Sequence, residues 1–260
     1  MTEIKLWENV PGYIEGCESP VLEYYPANEK RGDGAVVIFP GGGYSHRARH
    51  EGEGYAKYLN SIGLDCFVCE YRVAPYAFPY PLLDARRAVR YVRANAAKYG
   101  IDPSKIAVMG SSAGGHLAET VSTFRGAIDG EGVDGMDKVS PYPNAQILCY
   151  PVTDFDSHNG SYKNLLGGAF CPEECERLNP ISNVDADTPA AFLWHTETDN
   201  CVKVRGTLDY AVALHNAGVR CEMHIYPTGG HGLGLAESNE CIARWSGELA
   251  FWLRYNGYLN

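Results

Sequence analysis

The stretch MGSSAGGHLAET, residues 109–120, sets two serines among glycines directly after the apolar run KIAVMG at 105–110. Gly110-Ser111-Ser112-Ala113-Gly114 fits G-x-S-x-G when centred on Ser112; centred on Ser111, Met109 and Ala113 would occupy the glycine positions. A strand before this pentapeptide and a helix after it are the context of a nucleophile elbow. Small neighbours let the turn close, and the serine hydroxyl then stands at a helix N-terminus, where free N–H groups favour developing negative charge.

A serine hydroxyl needs a base to take its proton. Of the eight histidines, His231 in YPTGGHGLGLA is preferred, because a glycine-rich loop late in the chain can present an imidazole to the serine. His46, His50 and His158 are loop residues of lower rank. His224 reads as a buried strand residue, His215 as packing on a helix face and His116 as a core or supporting residue one turn beyond Ser112. His195 ends a strand and is placed to support the acid loop. That loop, TETDNCV, offers Glu197 and Asp199, and Asp199 is preferred as the carboxylate behind the ring. FPGGGYS at 39–45 ends an early strand with three glycines, whose N–H groups can approach an oxyanion closely. Gly42 and Gly43, with the N–H of Ala113, are expected to form that hole. A histidine base must be neutral, and an ordinary imidazole titrates at ~6.5, so activity is expected to rise through mildly acidic pH.

The elements that must position these residues are visible as alternation. AVVIFP (35–40), CFVCEYR (66–72), KIAVMG (105–110), AQILCYP (145–151), AAFLWH (190–195) and CEMHIYP (221–227) read as buried strands. Between them lie helical patterns. Leu82, Ala85, Ala88, Val89, Val92, Ala96 and Tyr99 form one apolar face, with Arg86, Arg87, Arg90 and Arg93 mostly opposite. Val204, Leu208, Ala211, Val212 and His215 form a second; Tyr55, Tyr58, Leu59 and Ile62 a third; Ile242, Trp245, Leu249, Trp252 and Leu253 a fourth. This rhythm predicts an α/β fold with a mainly parallel sheet and helices on both faces. EIKLWE and PVLEYYP near the start are expected to add an antiparallel edge. Two segments break the rhythm: 126–144, rich in Gly, Asp and Pro, and 157–188, expected to be a partly helical insertion over the sheet.

Composition narrows the function classes. The 260 residues suit a single domain, 1–260, and carry a formal charge of −10. RARH at 47–50 is the densest basic cluster, so nucleic acid is not an expected partner. No apolar run reaches the ~20 residues of a membrane span. The N-terminal residues show no basic-then-apolar signal pattern, and nine cysteines make an odd count, so a reducing cytoplasm is expected. Cys66 and Cys69 are three apart on a strand and face opposite sides, so they cannot share a metal. Cys171 and Cys175 lack further ligands at matching spacing. Neither a metal nor an organic cofactor is expected.

PGGGYS, the long segment EYRVAPYAFPYPLLDARRAVRYVRANAAKYGIDPSKIAVMGSSAGGHLA, YPVTDF, NLLGG and YPTGGHGLGLA together resemble the serine esterases of the α/β-hydrolase fold. The likeness is to the bacterial acetyl-esterase and carbohydrate-esterase branch near the hormone-sensitive-lipase group, and it runs from about residue 20 to the C-terminus. It implies an α/β-hydrolase sheet of about eight strands, a triad of Ser112, Asp199 and His231, and an oxyanion hole at the same glycines. It also implies short acyl esters as substrates, chiefly acetyl groups on plant-polysaccharide sugars such as xylo-oligosaccharides. An arylformamidase-like amidase, a small peptidase and a non-catalytic binding protein are the alternatives. Tyr44, Tyr76 and Tyr80 are candidates for a sugar platform, with plain packing as the other reading. The chain departs from the lipase group at Pro40, where that group opens its glycine motif with His, and at Asn200 and Lys203 after the acid.

Overall fold

A computed structural model describes residues 1–260. The chain forms β1 (Thr2–Lys5), β2 (Val21–Tyr25), β3 (Ala35–Phe39), α1 (Arg49–Ile62), β4 (Asp65–Glu70), α2 (Tyr80–Ala94), α3 (Ala96–Tyr99), β5 (Ile106–Ser111) and α4 (Ser112–Thr123). Then come β6 (Ala145–Cys149), α5 (Asn159–Leu166), α6 (Pro172–Arg177), β7 (Ala190–Thr196), α7 (Val204–Asn216), β8 (Cys221–Tyr226) and α8 (Glu240–Tyr255). The eight strands make one sheet in the order β1-β2-β4-β3-β5-β6-β7-β8. β1 pairs with β2, and β2 with β4, antiparallel; every other pair is parallel. This is the expected α/β-hydrolase sheet with its antiparallel edge. No helix is long and apolar enough to cross a membrane.

Strand alternation divides the core in two. Val37, Phe39, Phe67, Cys69, Ile106 and Val108 pack on one side with residues of α2 and α4. Val36, Ile38, Cys66, Val68, Ala107 and Met109 pack on the other, with α1 and α8. Cys66 and Cys69 therefore do lie on opposite faces, each a free buried thiol. Side chains alternate with period two, so a strand covered by helices on both sides must be apolar throughout. Among the parallel strands β8 is the exception: it closes the sheet at an edge, is only half-buried, and pairs His224 with Glu222 at 3.0 Å. His224 is not the buried strand residue expected.

Two helix faces differ from expectation. Arg86, Arg87 and Arg90 of α2 are buried, not solvated. Segment 126–144 lies across them: Glu131 pairs with Arg86 and Arg90, Asp134 with Arg87, and Asp137 with Arg90. The rhythm-breaking segment is thus the cover for a cationic helix face. On α7 the buried residues are Gly206, Thr207, Tyr210 and Leu214, while His215 and Val212 face solvent. The helix is turned because its polar residues find core partners: Thr207 reaches His195 and Tyr210 donates to Gln146. Between β6 and β7 lie α5, a 3₁₀ turn at Gly167–Ala169, and α6.

Candidate active site

The C-terminal ends of five parallel strands supply the site. β5 runs extended to Ser111, and the backbone then reverses at Ser112, whose φ of 53° is left-handed. A non-glycine residue is strained there, and the turn is held by close packing. A Cβ on Gly110 would lie 2.0 Å from the Gly114 carbonyl oxygen, and one on Gly114 would lie 2.1 Å from that of Phe39. Only glycines let α4 start this close to β3 and β5. Ser111 points away from the cleft, and its hydroxyl meets that of Tyr55 at 2.9 Å. Ser112 answers the choice between the two serines: its Oγ lies 2.8 Å from Nε2 of His231.

His231 stands on the loop after β8, and its Nδ1 is 2.7 Å from Oδ2 of Asp199 on the loop after β7. With the proton on Nδ1 shared with the carboxylate, Nε2 is free to accept from the serine hydroxyl. Asp199 is buried and fully engaged. Its Oδ1 accepts from the backbone N–H groups of Cys201 and Val202 at 2.8 and 2.9 Å. Nε2 of His195 lies 3.3 Å from Oδ2, while Nδ1 of that ring takes the Thr207 hydroxyl at 2.8 Å. Burial pushes the Asp199 carboxyl up, but the hydrogen bonds from His195, His231 and Val202 outweigh it and hold the group well below the usual carboxylate range. The structure thus brings Ser112, His231 and Asp199 into one hydrogen-bonded line, with His195 behind the acid.

The glycine loop after β3 faces the same line. Gly42, Gly43 and Tyr44 take φ values of 130°, 62° and 58° in succession. The loop's carbonyls are tied down: Gly42 O accepts from Ser45 and His46, and Gly41 O from Ala48. The N–H groups of Gly42 and Gly43 take no part in the backbone hydrogen bonding. Ala113 sits in the first turn of α4, where an N–H has no intrahelical acceptor. Gly42, Gly43, Ser112 and His231 line one cleft of about 370 Å³.

Comparison with known proteins places this arrangement. The BD-FAE family model matches residues 23–214, a span that includes Ser112 and Asp199 and stops before His231. The chain belongs to the BD-FAE family. An acetyl ester-xyloside bifunctional hydrolase from Caldicellulosiruptor lactoaceticus superposes with a TM-score of 0.93 at 42% identity, over 100% of this chain and 97% of that one. Endo-1,4-beta-xylanase B of Butyrivibrio fibrisolvens is 33% identical over 88% of this chain and 36% of its own length. The acetylxylan esterase of Xylanibacter ruminicola is 34% identical over 85% of this chain and 45% of its own length. The chain therefore spans less than half the length of these two curated relatives.

The BD-FAE cleft has further walls: Asn164 and Glu51, which the sequence did not single out, and the lower-ranked histidines His46, His50 and His158. Asn164 of α5 donates to the Gly43 carbonyl at 2.8 Å, so the insertion braces the glycine loop. Glu51 lines the cleft from the first turn of α1 and is buried; an acidic residue opening a helix reads from sequence as a solvated charge. His158 caps α5, its Nδ1 accepting from the Ser161 N–H at 3.2 Å, and its ring also lines the cleft. Burial and the neighbouring His231 lower the pKa of His158. His50 reaches the Gly232 carbonyl at 3.0 Å, and His46 meets the Ser45 hydroxyl at 3.1 Å.

The three tyrosines do not form a sugar platform. Tyr44 is buried and its hydroxyl donates to Nδ1 of His116 at 2.8 Å. Tyr76 and Tyr80 flank the Arg72 guanidinium, whose carbon lies 5.2 and 4.6 Å from their ring centres. Packing around a buried cation has taken the surface that a sugar would need.

Proposed function

We propose that this chain is a serine esterase that removes acetyl groups from acetylated xylo-oligosaccharides. The observation that carries the reading is the hydrogen-bonded line from Ser112 through His231 to Asp199, set across a cleft from the glycine loop. Ser112 Oγ attacks the acetyl carbonyl carbon while Nε2 of His231 takes its proton. The carbonyl π-electrons move onto oxygen, and the N–H groups of Gly42, Gly43 and Ala113 receive that oxyanion. The tetrahedral intermediate collapses, the C–O bond to the sugar breaks, and His231 returns its proton to the leaving alcohol. Water, deprotonated by the same ring, then attacks the acetyl-serine and releases acetate. Asp199 fixes the tautomer throughout and faces the imidazolium each time it forms.

The relatives' names support an ester of a xylose-based sugar over an amide: one is an acetylxylan esterase and another an acetyl ester-xyloside hydrolase. The nine free cysteines, three of them exposed, support a reducing compartment. Two assays test the proposal. Ser112→Ala is expected to abolish p-nitrophenyl acetate turnover, and retained turnover sinks the mechanism. Acetate release from defined acetylated xylo-oligosaccharides is expected to exceed by far any cleavage of N-formyl aromatic compounds or peptides. The reverse ranking removes the substrate assignment.

A further inference from the structure

Pro40 has no polar side chain with which to anchor the glycine loop, and Gly41, Gly42 and Gly43 have no side chain at all. We propose that Glu51 is the positioning residue that supplies the anchor, clamping the glycine loop, the serine turn and the histidine loop to one buried carboxyl. This rests on the Ser112–His231–Asp199 reading above.

The geometry begins with a residue in an unusual place. Glu51 occupies the first turn of α1, where a carboxylate ordinarily stays in solvent and faces its own helix terminus. Here it is 2% exposed. Burying a carboxyl is costly unless donors meet it. Both oxygens are met, each from a different segment. Oε2 accepts from the Gly41 N–H at 2.9 Å, and Oε1 accepts from the Tyr150 hydroxyl at 2.7 Å. The first contact is tight: a Cβ on Gly41 would lie 2.4 Å from Oε2 and 3.0 Å from Cβ of Ser112. Gly41 is therefore held between the carboxyl and the nucleophile turn, and Gly42 and Gly43 follow it directly.

Tyr150 carries the clamp to the base. Its hydroxyl accepts from the Gly234 N–H at 2.9 Å, three residues beyond His231, and its ring meets the His231 ring edge-on at 5.1 Å. The same hydroxyl lies 3.1 Å from that of Tyr55, which lies 2.9 Å from the Ser111 hydroxyl. A hydroxyl has one proton to give. Tyr150 gives its proton to Glu51, so Tyr55 donates to Tyr150 and Ser111 donates to Tyr55. The row of donors runs one way, from the serine turn to the carboxyl. Glu51 is its terminal acceptor, and without it Gly41 N–H and the Tyr150 hydroxyl lose their buried partner together.

The consequence for catalysis is preorganisation. Oxyanion donors act only if they stand where the charge develops, and a shift of ~1 Å can cost about 10²-fold in rate. Because the oxyanion exists only beyond the ground state, the loss belongs in kcat and not in KM.

The test uses p-nitrophenyl acetate, so it does not depend on the sugar assignment. Glu51→Ala is expected to lower kcat by about 10²-fold with KM essentially unchanged. Glu51→Gln, which keeps an acceptor for the Gly41 N–H, is expected to recover most of that loss. A loss shared between kcat and KM, a Gln variant no better than Ala, or an Ala variant at full rate overturns the proposal. Tyr150→Phe keeps the buried ring and serves if Glu51→Ala does not fold. A drop in kcat at constant KM is expected, and a full rate overturns the proposal. An inactive Ser112→Ala beside a fully active Glu51→Ala removes only the clamp, whereas an active Ser112→Ala removes the mechanism beneath it.

Discussion

Ser112, His231 and Asp199 are each ordinary in isolation; what sets them apart is how completely their polar atoms are assigned. Asp199 meets His231, His195 and two backbone N–H groups, which leaves its carboxylate charged down to well below the usual range. Because the folded pKa is depressed, the charge is present at every pH above the ordinary carboxylate value, and any mildly acidic loss of activity belongs to other groups. Asp199→Asn presents an amide N–H or a weakened acceptor to Nδ1 and frees the ring to take the wrong tautomer. The expected result is a kcat lower by roughly 10³- to 10⁴-fold with a native circular dichroism spectrum. Activity within a few-fold of the parent protein would remove Asp199 from the triad.

At the scale of elements, α2 shows how a helix can be buried on more than its apolar side. Asp84 points inward and is buried, as is its partner Arg72 at the exit of β4. Its two oxygens accept from the Arg72 backbone N–H, Nε and a terminal guanidinium nitrogen, and from the Trp7 indole N–H, at 2.7 to 3.0 Å. One carboxylate thus joins the N-terminal segment, the β4 exit and α2. Asp84→Asn leaves a buried cation unpaired, and a loss of about 3 kcal/mol is expected in urea unfolding. A loss under 1 kcal/mol would mean that water or another group relieves the cation. On the far side of α2, Arg86, Arg87 and Arg90 are neutralised by segment 126–144. The helical spacing was legible because it depends on local periodicity. The cover was not, since a charge run reads as solvated until a distant acidic segment folds over it.

At the scale of the whole molecule, His116 ties three regions together. Its Nδ1 takes the Tyr44 hydroxyl beyond the glycine loop, and its Nε2 lies 3.1 Å from both the Leu178 carbonyl and the Tyr162 hydroxyl of the 157–188 insertion. Burial lowers its pKa to about 4. An unfolded histidine binds a proton below ~6.5. Between those two values only the unfolded chain takes the extra proton, so stability falls as pH drops from about 6.5 towards about 4, and this contribution then levels off. The full effect is about 3 kcal/mol. His116→Gln does not titrate there, so its loss of stability between pH 7 and 4.5 in urea unfolding is expected to be clearly smaller than that of the parent chain. Equal losses would show that His116 is not the buried neutral group described.

The sequence by itself determined the strand–helix alternation, the eight-stranded sheet with its antiparallel edge, the choice of Ser112 over Ser111, and the order Ser112, Asp199, His231. The alternation and the choice of serine depend on spacing within a few residues, as with period two for Cys66 and Cys69 and the small residues that a tight turn demands around Ser112, whereas the strand count and the order Ser112, Asp199, His231 came with the resemblance to the α/β-hydrolase esterases. Only the tertiary structure decided which face of α7 turns inward, that Tyr44, Tyr76 and Tyr80 pack and do not line a sugar site, and that Glu51 is buried against Gly41 and Tyr150. The physical reason is common to all three. A polar or aromatic side chain takes its place from partners elsewhere in the chain, from 4 residues away for Tyr76 on Arg72 to 99 for Glu51 and Tyr150, and residue type alone does not say which partner will meet it.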